Sequence, residues 1–161
     1  LIDAMRCELY NHLAPVANAW GEQLGAATRY PGDLDAFLKH CHAEGQARPT
    51  PLLLKYGPGD YNRLHQDLYG GVQFPIQAAV LLSAPSRDFE GGEFVLTETA
   101  PRRQTRVEVV PLGQGDMVLF AVNHRPIKSA KGFSRVAMRH GVSTVRAGER
   151  LTLGVILHDA A

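Results

Sequence analysis

The 161-residue chain has only two cysteines, Cys7 and Cys41, a single tryptophan, and no run of some 18 apolar residues. Two cysteines cannot build a disulfide framework, and without a long apolar run no helix is expected to cross a bilayer. A soluble protein of a reducing, cytoplasmic compartment is therefore expected. A dominant charge is missing too, since 17 Lys and Arg face 16 Asp and Glu. The global balance gives no sign of a polyanionic or membrane partner, so such a preference must come from local clustering. No repeat, low-complexity tract or interdomain linker is visible. What is plentiful is apolar content, 45% of residues, enough for one compact core and a single domain over 1–161. The opening LIDAMRCELYNHL begins on Leu1 and lacks the zones of a signal peptide. It reads as the middle of something, and a missing N-terminal segment is expected.

Two helices are expected first. Leu9, Leu13, Val16, Ala17, Trp20 and Leu24 recur at three- and four-residue steps, with Pro15 expected to kink or divide the helix. Asp33 reads as the N-cap of a second helix bearing Leu34, Phe37, Leu38 and Cys41 and ending at Gly45. After Pro49 and Pro51 the chain turns to short β-favouring runs, expected at 52–56, 63–67, 75–83, 93–98, 105–111, 117–122, 139–145 and 150–157. Eight such strands predict a mainly β fold with flanking helices: a jelly-roll core over 50–158 and two supporting helices over 1–48 packed on one side of the sheet.

Chemistry concentrates in Arg63-Leu64-His65-Gln66-Asp67. On a strand His65 and Asp67 point to the same face, so both can reach one ion. His140 can supply a third ligand from across the barrel. Two imidazoles and one carboxylate on one face of an octahedral metal leave three positions open, the ligand set of non-haem Fe(II) oxygenases. Arg150 follows ten residues later, beyond the turn signal Arg146-Ala147-Gly148-Glu149, which predicts that His140 and Arg150 sit on adjacent strands of one hairpin. Arg150, Thr152, Gly154 and Ile156 should share one face and Leu151, Leu153, Val155 and Leu157 the other. The Arg150 fork can hold a carboxylate in bidentate fashion, the Thr152 hydroxyl can donate as well, and Gly154 leaves room beside the metal.

From Tyr56 to His158 the sequence resembles the Fe(II) and 2-oxoglutarate dioxygenases, within them the prolyl 4-hydroxylase-like branch. The resemblance is carried by Tyr56-Gly57-Pro58-Gly59-Asp60-Tyr61, His65-Gln66-Asp67, Gly91-Gly92-Glu93-Phe94, Gly115-Asp116-Met117-Val118-Leu119-Phe120, and His140 with Val145, Gly148 and Arg150. Around His65-Gln66-Asp67-Leu68-Tyr69-Gly70 and Leu157-His158-Asp159-Ala160 it looks like an uncharacterised bacterial group. It implies a double-stranded β-helix, Fe(II) on His65, Asp67 and His140, the 2-oxoglutarate carboxylate on Arg150 with Tyr56 beside it, and dioxygen as co-reactant. Oxidative decarboxylation to succinate and hydroxylation of a C–H bond would follow. A carboxylate at Asp67, where halogenating relatives carry a small residue, implies hydroxylation. One departure is Tyr61, four residues before His65 where relatives commonly have a tyrosine three before.

Other residues compete for these roles. His124 is the nearest rival to His140, while His158 reads as a satisfied polar histidine. His40-Cys41-His42 cannot converge on one ion from a helix, where neighbours point about 100° apart. Tyr56 could equally be a core tyrosine, and Gln77 brings a polar group into an apolar strand where it needs a partner. Between Arg102 and Arg139 eight basic residues face two acidic ones. If the Arg125 to Arg139 loop covers the site mouth, it would favour an anionic substrate such as a nucleic acid or a phosphorylated metabolite. Three readings follow: a hydroxylase of a protein side chain or small metabolite, a nucleic-acid demethylase, and a non-catalytic jelly-roll binding module.

Overall fold

A computed structural model describes all residues, 1–161. α1 (Ile2–Leu24) runs unbroken through Pro15 and ends at Gly25, whose φ of 66° suits a left-handed cap. The expected division at Pro15 is absent. Proline removes one hydrogen-bond donor, and the packing of Tyr10, Leu13, Ala14 and Ala17 on one stripe keeps the turns on either side within one helix. α2 (Leu34–Ala43) starts where Asp33 accepts a hydrogen bond from Ala36 N at 2.8 Å.

Eleven strands follow: β1 (Leu52–Tyr56), β2 (Asn62–His65), β3 (Ile76–Leu81), β4 (Phe89–Gly91), β5 (Phe94–Thr99), β6 (Arg106–Val110), β7 (Met117–Ala121), β8 (His124–Ser129), β9 (Gly132–Val142), β10 (Val145–Gly148) and β11 (Arg150–Val155). They pair antiparallel as one sheet in the order β1-β11-β3-β7 and a second in the order β2-β9-β5-β6, with β8 also on β9 and a short β10-β4 pair. The first sheet buries its outer face under both helices. Tyr10, Phe37, Ile76, Ala78, Val155 and Leu157 form one apolar cluster there, with Phe74 stacked among Tyr10, Tyr30 and Phe37 at centroid distances of 5.0–5.7 Å. Its inner face meets the second sheet through Tyr56, Leu81, Phe89, Phe94, Phe120 and Val142. The chain is mainly β with two helices on one side, as expected.

Two further differences from expectation bear on the site. The segment from 125 to 139, expected as a loop, is the β8–β9 hairpin turning at Ala130-Lys131, because Val136 and Met138 point inward on alternate positions and bury against Ala121. His140 and Arg150 do not share a hairpin. β10 intervenes and pairs with β4, so β9 lies in one sheet and β11 in the other. Their side chains line one cavity from opposite sheets instead.

Candidate metal centre

His65 and His140 are cross-strand partners on β2 and β9, and their rings lie 4.2 Å apart. Asp67 lies past the end of β2, so strand alternation does not place it. A β-bulge between Asn62 and His65 turns both residues inward, and a turn in which Leu68 N donates to Gln66 O folds Asp67 back onto the histidines. The bulge also bears on the unusual tyrosine spacing. Asn62, three residues before His65, stands only two steps from it in register, so Tyr61 takes the third step. Its side chain is half exposed and its hydroxyl meets only Arg63.

The ligand atoms of His65, Asp67 and His140 lie within 4.8 Å of one another. His65 Nε2 is 3.3 Å from Asp67 Oδ1 and His140 Nε2 is 3.2 Å from Asp67 Oδ2. His65 Nδ1 donates to Arg63 O at 2.7 Å, which fixes the tautomer and turns Nε2 toward the carboxylate. Burial by itself would raise the Asp67 pKa, but hydrogen bonds from His140, His65 and Gln77 outweigh it and hold the group well below the usual carboxylate range. His65 is raised, chiefly by its hydrogen bond to Asp67, against burial that lowers it. An anionic carboxylate between two imidazoles suits a divalent cation.

Two residues that sequence reasoning missed, or left without a partner, support Asp67. Tyr69 donates its hydroxyl to Oδ1 at 2.8 Å, and Gln77 Nε2 donates to Oδ2 at 2.6 Å. Gln77 had been marked by its polarity inside an apolar strand. Tyr69 carried no signal beyond its place two residues after Asp67. Gln66 is equally engaged. β2 and β8 lie along the same edge of β9, and Gln66 fills the gap between them, its amide donating to Met138 O at 2.8 Å and Asn123 Oδ1 at 2.9 Å. Met138 N donates in turn to Asn123 O. The residue between the two ligands thus stands in for a missing rung of the ladder beside His140.

Facing the triad across a cavity of about 130 Å³ is Arg150, with Tyr56, Asn62, Thr152, Gly154 and Ile156 also lining it. The inward face of β11 is the one expected. Arg150 is 2% exposed, its Nε and Nη1 have no partner, and its guanidinium lies 5.5 Å from the Tyr56 ring centroid. Burial lowers its pKa, yet guanidinium remains protonated at neutral pH. A desolvated cation without a partner calls for an anion. Thr152 gives its hydroxyl proton to Val80 O at 2.8 Å, so the expected donation toward a cofactor is already committed to the sheet. The Tyr56 hydroxyl accepts only a long contact from Asn62 Nδ2 at 3.5 Å, which leaves its proton available to the cavity.

The rival residues lie elsewhere. His124 borders a groove under α1 with Trp20 and Arg135, and burial lowers its pKa. His42 pairs with Asp159 at 3.0 Å, and Cys41 is buried. His158 is fully buried and accepts from Phe74 N at 3.2 Å. None of the basic residues between 102 and 139 lines the cavity, and Arg125 and Arg106 are paired with Glu98 and Glu108.

A family described as "Oxygenase, catalysing oxidative methylation of damaged DNA" matches residues 1–160. The chain belongs to this oxygenase family. The oxygenase is 46% identical over 161 residues to an uncharacterized protein of Mycobacterium tuberculosis (strain ATCC 25618 / H37Rv), covering 100% of the chain and 69% of that relative. It is 33% identical over 126 residues to a PKHD-type hydroxylase of Idiomarina loihiensis, over 73% of the chain and 54% of the hydroxylase. Among solved structures it is similar to a 2OG-Fe(II) oxygenase family oxidoreductase from Burkholderia pseudomallei, at TM-score 0.45 and 22% identity, covering 71% of the chain and 48% of that one. The oxygenase thus spans about half the length of the hydroxylase and of the solved structure.

Proposed function

We propose that the chain is an Fe(II)- and 2-oxoglutarate-dependent dioxygenase that hydroxylates a C–H bond of a protein side chain or small metabolite, releasing succinate and carbon dioxide. The observation that carries it is the buried, unpartnered Arg150 guanidinium in the same small cavity as the His65–Asp67–His140 triad. A metal site alone does not require an internal cation, and a 2-oxo dicarboxylate has one end for each. The double-stranded β-helix reading is supported by two four-stranded antiparallel paths packed face to face, with His65 and His140 on one and Arg150 on the other.

His65, Asp67 and His140 would hold the iron, and Arg150 would take the distal carboxylate of 2-oxoglutarate with Tyr56 and Asn62 beside it. Bound together, iron and 2-oxoglutarate supply the activation of dioxygen, which lies outside the reach of protein side chains. The chain's own part is orientation and exclusion of water. Phe94 and Phe120 pack near the His140 ring, at 6.1 and 4.7 Å, and wall the metal side of the cavity with apolar surface.

Anaerobic addition of Fe(II) and 2-oxoglutarate should give the weak visible charge-transfer band of a chelated complex, lost in His140→Ala and in Arg150→Ala. A folded protein that gives no band would sink the proposal. A second reading, demethylation of a nucleic acid, is prompted by the damaged DNA that the family's description names as the substrate of its oxidative chemistry. It is also supported by Tyr61 and Arg63, exposed on the segment leading to His65, where a base could stack and a phosphate pair. Hydroxylation of an N-methyl carbon there would release formaldehyde and the bare base. Binding to single-stranded DNA that weakens steeply with salt supports this reading, and no binding at low salt removes it.

A further inference from the structure

The orientation of the Gln77 amide is forced. The Asp67 carboxylate can only accept, so the group 2.6 Å from Oδ2 must be the amide nitrogen. The carbonyl oxygen is thereby turned away, and it is buried with no partner. Gln77 is 4% exposed and sits on β3 between Ile76 and Ala78, in a strand whose other side chains are all apolar. An unpaired buried amide oxygen is unfavourable, and a methionine or leucine would fill the same space without that cost. A glutamine there has no structural advantage unless its donor is needed.

What it donates to is the only ligand of the triad that no strand holds. Asp67 lies beyond β2, and its two oxygens are each fixed from behind: Oδ1 by Tyr69 and Oδ2 by Gln77. Tyr69 belongs to the same loop as Asp67, whereas Gln77 belongs to the sheet that carries Arg150. We propose that Gln77 is a positioning residue that registers Asp67 against the sheet bearing Arg150, setting the carboxylate's direction toward the metal while leaving its own carbonyl unsatisfied. The proposal rests on the reading of the triad as a metal site. Partners of this kind orient a ligand and are worth about 10- to 100-fold in metal affinity.

The test uses Mn(II) and Co(II) alone, with no 2-oxoglutarate or substrate. Gln77→Met should weaken Mn(II) binding by calorimetry about 10- to 100-fold and shift the visible d–d bands of the Co(II) form, which report ligand direction. Tyr69→Phe should move both in the same sense and serves where Gln77→Met folds poorly. Phe37→Leu, a core change remote from the site, should lower Tm without moving either readout. Wild-type affinity and an unchanged Co(II) spectrum in Gln77→Met and Tyr69→Phe would overturn the positioning role. Absence of metal binding in the wild-type protein would instead overturn the metal site itself.

Discussion

Arg150→Met should make the ligand-free protein more stable while removing its response to 2-oxoglutarate. The guanidinium is 2% exposed with Nε and Nη1 unpartnered. Two unmade hydrogen bonds on a buried group cost about 1–3 kcal/mol each. Methionine keeps much of the stem's length but packs less surface, which offsets roughly 1–2 kcal/mol of the gain. These terms leave a net stabilisation of about 0–5 kcal/mol, centred on about 2–3 kcal/mol, and that centre is about 4–12 °C in Tm for a domain of this size. In the wild type, 2-oxoglutarate at a hundredfold excess over its Kd, with Mn(II) present, should add about 2.7 kcal/mol. In the variant it should add almost nothing. Scanning calorimetry of both proteins, with and without Mn(II) and 2-oxoglutarate, reads all four states. A variant less stable than the wild type without ligand would show that the guanidinium already has partners, and an undiminished 2-oxoglutarate shift would remove Arg150 from the cofactor site.

Three further perturbations probe the frame around the triad. Gln66→Ala removes the side chain that bridges β2 and β8 along β9, and Mn(II) affinity should fall about tenfold. Unchanged affinity would reduce Gln66 to a surface contact. Gly141→Ala places a Cβ 2.7 Å from Asn62 O, so β2 and with it His65 must shift; metal affinity should drop while the helix-side core keeps its near-ultraviolet signal, and a crystal structure with β2 unmoved would refute the clash. The pH dependence has two signs. In the metal-free protein His65 is raised by its contact with Asp67, so its contribution is full below the ordinary histidine pKa of about 6.5 and is lost as pH rises through the higher folded value. Asp67 is lowered, so its contribution is full above about pH 4 and is lost as pH falls through the lower folded value. Metal binding runs the other way through His65, because the ion displaces its proton. Mn(II) affinity should rise with pH, with proton release, until the pH passes the raised His65 pKa and then level off, and calorimetry in buffers of different ionisation enthalpy would expose the absence of that release.

The sequence made the site legible where the physics is local or strictly periodic. The inward face of β11, Arg150 with Thr152, Gly154 and Ile156, follows from alternation alone, and α2 begins at the Asp33 cap that its side chain announces. Legibility ended where a contact depends on register between distant strands. His140 was placed by its distance from Arg150 along the chain, through a hairpin that does not form; it reaches the triad because β9 is long enough to pair with β8, β2 and β5 along its length. In the sequence Gln66 is only the residue between His65 and Asp67, since nothing local reveals that Asn123, 57 residues away, ends beside it. The basic stretch misled for the same reason. Its charges are close in sequence, but alternation sends Arg135 and Arg139 to the face of β9 opposite His140, while Arg125 is paired to Glu98 on β5. On a hairpin, alternation divides charges that are adjacent along the chain between two faces. The exposed cation and aromatic ring beside the triad are instead Arg63 and Tyr61, on the segment that carries His65. If Arg63 contacts a phosphate, Arg63→Ala should weaken single-stranded DNA binding uniformly across sequences and reduce the salt slope by about one ion. An equal slope in both proteins would separate nucleic acid from this rim altogether.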